Sequence, residues 1–320
     1  MRFVLVLMLI LSAGGLRAGD AETIARIEAA WAGWGDKVGA KARALVITRN
    51  GTIVHQAAKG MDAGEKVELA SLSKAITGVC IDRLVRQGLV RYDTSIGEAL
   101  GEAPRDPALA GATVGDLVTQ SAGIWPDSTQ EAMPRWLGSK ASRNADVART
   151  VLSRKRQRGQ PGRHAYNNEN YALLGRIVEK VTGKSYAAVC AGVAPGAVLS
   201  PRSGGFAAWG GWRMSLADYA RFHAEHFGAG SSIGKSPGRY PDVALGGGAH
   251  YGPGVYWRAS AGRFNFWHFG SYCMRGRLET TTYAVSWQGR WGVVAAYPGK
   301  CTTEAQRNAL DAAFVAAVFR

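Results

Sequence analysis

The chain has 320 residues and a formal net charge of +15, with 39 Lys+Arg against 24 Asp+Glu. A hydrophobic fraction of 47% without low-complexity tracts excludes a disordered or collagen-like protein. The four cysteines, Cys80, Cys190, Cys273 and Cys301, form no CxxC pair, which argues against zinc ribbons and thioredoxin-type chemistry.

Met1-Arg2 gives a basic start, Phe3 to Leu11 runs apolar, and Leu16-Arg17-Ala18 offers a cleavage site. Residues 1–18 are therefore predicted to be a secretory signal peptide. The mature chain, 19–320, is then exported, periplasmic or secreted. No later stretch is apolar enough for a stable membrane span after cleavage. Export argues against nucleic acid as the partner of the basic surface and leaves an anionic envelope surface as an alternative. It also permits disulfides.

Residues 24–31 carry apolar side chains at helical spacing. Two β-branched runs flank Asn50-Gly51 and predict a hairpin. A helical pattern runs from 71 to 90, with Gly88 as its stop. From 92 to 200 the sequence reads as helix and loop without strands. Its clearest helices are TVGDLVTQ and NYALLGRIVEKVTG, the latter capped by Gly183. SLADYARFHAEHF is another amphipathic helix, and the Gly- and Pro-rich stretch 228–254 reads as loops. RFNFWHFGSYC, TTTYAVSWQG and RWGVVAAYPG read as strands, and a helix ends the chain.

Strands at both ends with helices between them predict an α+β fold. One antiparallel sheet, about 19–75 and 205–320, is flanked by terminal helices, with an all-helical subdomain, about 76–204, inserted. Two antiparallel reversals separate Cys273 from Cys301, which places both at one end of the sheet and predicts a disulfide. Cys80 is expected to be a free thiol in a core helix.

Three short motifs carry chemistry. Ser71-Leu72-Ser73-Lys74 begins a predicted helix, and its i, i+3 spacing puts Ser71 and Lys74 on one face. A serine hydroxyl needs a base, and a lysine whose pKa is lowered by burial can serve. Tyr166-Asn167-Asn168 precedes another helix. Its tyrosine could shuttle a proton if nearby cations favour the phenolate, and its amide could hold a substrate carbonyl. His268-Phe269-Gly270 lies on a predicted strand, where glycine admits a substrate backbone and neighbouring N–H groups could face an oxyanion.

SxxK, YxN and [KH]xG in this order resemble the class C β-lactamases and the related D-alanyl-D-alanine carboxypeptidases, D-aminopeptidases and lipase-like esterases. ELASLSKAITGVCIDRLVRQGLVRYDTSI, TVGDLVTQSAGI and YNNENYALLGRIVEKVTGKSY are similar to connecting segments of that family. The resemblance implies Ser71 as acylated nucleophile, Lys74 and Tyr166 sharing proton transfer, and Asn168 and His268 at the substrate. It implies an oxyanion hole from the backbone N–H groups of Ser71 and Ser271, beside Gly270.

The implied activity is cleavage of an ester, amide or D-amino-acid peptide bond through an acyl-enzyme, without cofactor or metal. The substrate would be a small molecule or a peptidoglycan-like envelope component. A β-lactamase or D-Ala-D-Ala carboxypeptidase, and a silent relative that binds envelope peptides or proteins, are the alternatives. Phe269 stands where relatives carry threonine, and His268 is neutral for much of the time at pH 7, which disfavours carboxylate-bearing β-lactams. Outside the motifs, RKRQRGQPGR at 154–163 reads as a solvated loop or a positive rim. His223 and His226 form an HxxH without a third metal ligand.

Overall fold

A computed structural model describes residues 18–319; the predicted signal segment before Ala18 lies outside the described residues. The strands are β1 (Arg43–Arg49), β2 (Thr52–Lys59), β3 (Val67–Glu68), β4 (Val198–Leu199), β5 (Trp212–Met214) and β6 (Val243–Gly246). They continue with β7 (Ala249–Tyr251), β8 (Tyr256–Ser260), β9 (Arg263–Met274), β10 (Leu278–Trp287) and β11 (Trp291–Pro298). Eight of them form one antiparallel sheet in the order β2-β1-β11-β10-β9-β8-β7-β6. A smaller sheet has the order β3-β5-β4.

Five helices matter most for the site: α1 (Ala18–Lys37), α2 (Ser73–Arg86), α3 (Asn168–Thr182), α4 (Leu216–Phe227) and α5 (Glu304–Phe319). The period-two alternation of the strands divides the core. Leu45, Ile47, Tyr283, Val285, Val293 and Ala295 face α1 and α5, where Ile27, Trp31, Leu310 and Phe314 are buried. Ala44, Val46, Ala284, Val294 and Ala296 face the opposite way, onto a larger core with α2, α3 and α4. The architecture is the expected α+β one, with the terminal helices on one face of the sheet.

The hairpin turns at Asn50-Gly51, with φ of 51° and 81°, the left-handed pair that a two-residue turn needs. Two stretches differ from the sequence reading. Residues 228–254 carry the edge strand β6 and its neighbour β7, and 92–200 contains β4. These strands are two to four residues long, too short for periodicity to register.

Cys273 and Cys301 form a disulfide with Cα atoms 4.9 Å apart. The expectation of a free Cys80 is corrected. It pairs with Cys190 across 110 residues, tying α2 to the short helix Tyr186–Cys190. Both cysteines are fully buried on helix faces that meet, a juxtaposition that spacing cannot reveal.

Candidate active site

Ser71 sits at the expected helix start, in a 3-10 turn over Ala70–Leu72 that runs directly into α2. Ala70 enters this turn at φ 47°, a conformation costly for a residue with a Cβ. The turn leaves Ser71 half-buried and open to a cavity of ≈ 640 Å³. Ser73 is turned into the core, where its Oγ accepts a hydrogen bond from the Trp212 N–H at 3.3 Å.

One turn on, Lys74 is fully buried. Its Nζ donates to Asn168 Oδ1 at 2.7 Å and to the Trp209 carbonyl at 3.0 Å, and lies 3.3 Å from Ser71 Oγ. Burial strips water from the ammonium and pulls its pKa down to about 7, against a smaller opposing pull from Asp127. In the neutral form, two N–H bonds satisfy Asn168 and Trp209 and leave the lone pair for the Ser71 hydroxyl.

Tyr166 lies over Lys74, its ring centroid 4.7 Å from Nζ. Desolvation raises its pKa well above 10, reinforced by Tyr251 and Tyr256, with the Ser71 hydroxyl drawing it partly back. The side chain is therefore a phenol and not the phenolate that a neighbouring cation would favour. Its buried hydroxyl has no hydrogen-bond partner of good geometry. Gln120 clamps its backbone from both sides. The Gln120 carbonyl accepts the Ala165 N–H at 2.9 Å, and Oε1 accepts the Asn167 N–H at 2.5 Å. Gln120 itself is buried at φ 58°.

The facing wall is β9. Gly270 permits the close approach of strand and nucleophile turn. A Cβ there would stand 2.4 Å from the Leu69 carbonyl, 2.2 Å from Thr282 Oγ1 and 3.1 Å from Ser71 N. Ser271 follows on the cavity lining. β8 begins at Tyr256, opposite Trp267, so among the described residues no strand covers the outer edge of β9 from His268 onward.

His268 is buried, its Nδ1–H donating to the Phe269 carbonyl at 2.6 Å and its Nε2 3.5 Å from the Tyr251 hydroxyl. Desolvation and the neighbouring Lys74 lower its pKa to about 3, so it is neutral at pH 7. The Phe269 ring stacks on Tyr283 at 4.3 Å. Tyr256 and Trp267, themselves stacked at 5.7 Å, complete an aromatic wall.

The three motifs, scattered over some 200 residues, thus line one cavity. The Beta-lactamase family model matches residues 32–192, just over half of the chain. The chain belongs to the beta-lactamase family. Members of this family are serine hydrolases. The match includes Ser71, Lys74, Tyr166 and Asn168 and stops before His268.

Protein flp of Staphylococcus aureus is 28% identical over 153 residues, covering 44% of this chain and 30% of flp. The chain therefore spans less than a third of that relative's length. In fold, it resembles a penicillin-binding protein homologue from Pyrococcus abyssi, with a TM-score of 0.71 and 18% identity. That likeness covers 92% of this chain and 77% of the other. A D-stereospecific amidohydrolase from Streptomyces sp. gives a TM-score of 0.71 at 15% identity, covering 93% and 98%.

Several residues of this site carried no motif. Asp127, Thr129 and Gln120 act through hydrogen bonds to Tyr166-Asn167-Asn168, and Trp209 contributes only its carbonyl to Lys74. Glu304 and Arg307 of α5 reach the same cavity.

The basic run at 154–163 divides. Arg154 is structural, its guanidinium forming two 2.6 Å bonds to the fully buried Glu169. Lys155, Arg156, Arg158 and Arg163 are exposed. The HxxH pair sits in α4, with His226 Nε2 on the Val193 carbonyl at 3.2 Å and His223 in the core. Among the described residues, no three His, Cys, Asp or Glu side chains are grouped to hold a metal ion.

Proposed function

We propose that this chain is an exported acyl-serine hydrolase that cleaves small esters or neutral amides, D-amino-acid amides among them. The observation that carries this reading is Lys74 Nζ, 3.3 Å from Ser71 Oγ, with burial pulling its pKa to about 7. A neutral amine at that distance is a general base for the serine hydroxyl. The two disulfides fit an oxidising compartment.

The Ser71 proton passes to Lys74 as Oγ attacks the substrate carbonyl carbon. Negative charge gathers on the carbonyl oxygen, where the backbone N–H groups of Ser71 and Ser271 would receive it. Asn168 and the open edge of β9 hold the substrate backbone. Tyr166, as a neutral phenol, donates to the departing alkoxide or amine, and Lys74 returns the balance by reprotonating it. Water then repeats the sequence on the acyl-enzyme and releases the acid.

Substrate preference follows from the β9 wall. Phe269 commits its ring to Tyr283 and brings no hydroxyl, and His268 is neutral. Arg307 is a cation on the cavity wall, but it donates to the Thr302 carbonyl at 2.6 Å and has Glu304 one turn away. A substrate carboxylate would therefore be desolvated with little return. Intact mass measured after incubation with esters, D-amino-acid amides and β-lactams tests the proposal. Acyl adducts on Ser71 from esters or neutral amides are expected, lost in Ser71→Ala and kept in Ser73→Ala. Equal labelling of wild type and Ser71→Ala would overturn it.

A further inference from the structure

Asn168 faces Lys74 with its carbonyl end, and a chain of side chains dictates that orientation. Asp127 is a carboxylate and only accepts. Its Oδ1 takes the Thr129 Oγ1–H at 2.6 Å and the Thr129 N–H at 3.0 Å. Its Oδ2 takes the Asn168 N–H at 3.1 Å and Gln130 Nε2 at 3.0 Å. With its proton committed, Thr129 Oγ1 must accept, and it does so from Asn168 Nδ2 at 3.0 Å. The amide is then left with Oδ1 toward Lys74 Nζ, at 2.7 Å. Polarity runs one way from Asp127 to Ser71, because each group has only one role left to play. Thr129 and Asn168 are buried, so water cannot substitute for a missing link.

We infer that Asp127 and Thr129 are positioning residues for the acylation step, fixing the Asn168 amide so that its oxygen holds Lys74 against Ser71. This rests on the proposed role of Lys74 as base. Neither residue touches the nucleophile. Asp127 also supplies negative charge to the site. The other groups facing Lys74 are Tyr166 and Tyr171, whose rings flank Nζ at 4.7 and 5.8 Å, and neutral His268. None of these is an anion, so Asp127 supplies the charge that favours the ammonium, in the direction that raises the Lys74 pKa.

The test uses the full mature chain carrying 13C-labelled lysine, with variants Asp127→Asn, Thr129→Val and Thr129→Ser. NMR follows the Lys74 resonance, assigned by its loss in Lys74→Met, against pH. Fluorophosphonate labelling of Ser71 is measured over the same range. Asp127→Asn is expected to move both midpoints down by about 0.5–1 pH unit, since an opposite charge has been removed. Thr129→Val keeps the carboxylate but frees the amide to turn, so labelling should slow about 3- to 10-fold, with Thr129→Ser restoring it.

Were Asp127→Asn to misfold, the Thr129 pair would still decide. Unchanged labelling in Thr129→Val, or a Lys74 midpoint unmoved in folded Asp127→Asn, overturns the inference. A Lys74 resonance that shifts as expected while wild type labels elsewhere than Ser71 would contradict the proposed function and leave the coupling between Asp127 and Lys74 established.

Discussion

The two walls of the cavity are built from opposite materials. One, formed by residues 71–74, 127–129 and 166–168, is a chain of polar groups that reaches Lys74 from the half-buried Asp127 by direct side-chain hydrogen bonds through the buried Thr129 and Asn168. The other, the outer part of β9 with β7 and β8, is aromatic and neutral: Tyr251, Tyr256, Trp267, His268 and Phe269. The first wall sets proton positions, where ångström-scale error is costly. The second has glycine where backbones must meet and ring surface elsewhere, and under the proposed function it would set what is admitted. Chemistry and selectivity should therefore be separable by mutation.

The largest effect is expected on the polar wall. Lys74→Met should lower Ser71 acylation by about 10²–10⁴-fold, the usual weight of a general base, while the variant stays folded. Stopped or quenched fluorophosphonate labelling measures this. A loss under threefold would assign the base elsewhere.

Behind that wall, Arg154→Ala removes the cation paired with the fully buried Glu169 carboxylate and leaves it the Ser128 N–H and hydroxyl. Removing one partner of a buried pair costs about 3–5 kcal/mol. Urea unfolding should show a lower midpoint with an unchanged slope. Arg158→Ala, in the same run but exposed, should stay within about 0.5 kcal/mol of wild type. Equal behaviour of the two would remove the distinction between the structural and solvated parts of the run.

On the aromatic wall the effect is smaller and concerns preference. Phe269→Thr, alone or with His268→Lys, should raise kcat/KM for nitrocefin relative to p-nitrophenyl butyrate by about 10-fold, the value of one charge-assisted hydrogen bond. Loss of the Tyr283 stacking will lower the melting temperature of these variants, so folded fractions must be matched. A wild-type preference for nitrocefin, unaltered by the changes, would mean that β9 does not set selectivity.

The last effect is on stability against pH, and it is small near neutral pH. His268 and His223 are buried neutral, with pKa values lowered to about 3 and about 4 from 6.5. Their contribution is complete above pH 6.5 and is lost as pH falls from 6.5 through those values. Thermal melts should show Tm falling over that window, and His223→Leu should flatten part of the fall. An identical slope in the variant would remove His223 from the account.

The same division explains what the sequence revealed. The sheet, its terminal helices and the Asn50-Gly51 turn follow from periodicities that local side chains write directly. Ser71, Lys74, Tyr166 and Gly270 announce themselves because their chemistry ties residue type to spacing. Asp127 and Thr129 do not, since an acid and a threonine at the start of a short helix are indistinguishable from turn and cap formers until α3 is packed against them. Cys80–Cys190 was hidden because its pairing depends on two helices meeting across 110 residues. The lowered basicity of Lys74 was foreseeable only in kind, as its extent depends on full burial.

Under the proposed function, a buried Lys74 that is only partly protonated near pH 7 activates Ser71. The direct measurement is the rate of fluorophosphonate labelling from pH 5 to 9, with the adduct located by peptide mass spectrometry. A single adduct on Ser71 is expected, its rate rising with pH through a midpoint near 7 as Lys74 loses its proton. A rate that is flat across this range, or an adduct on Ser73 or another residue, would contradict it.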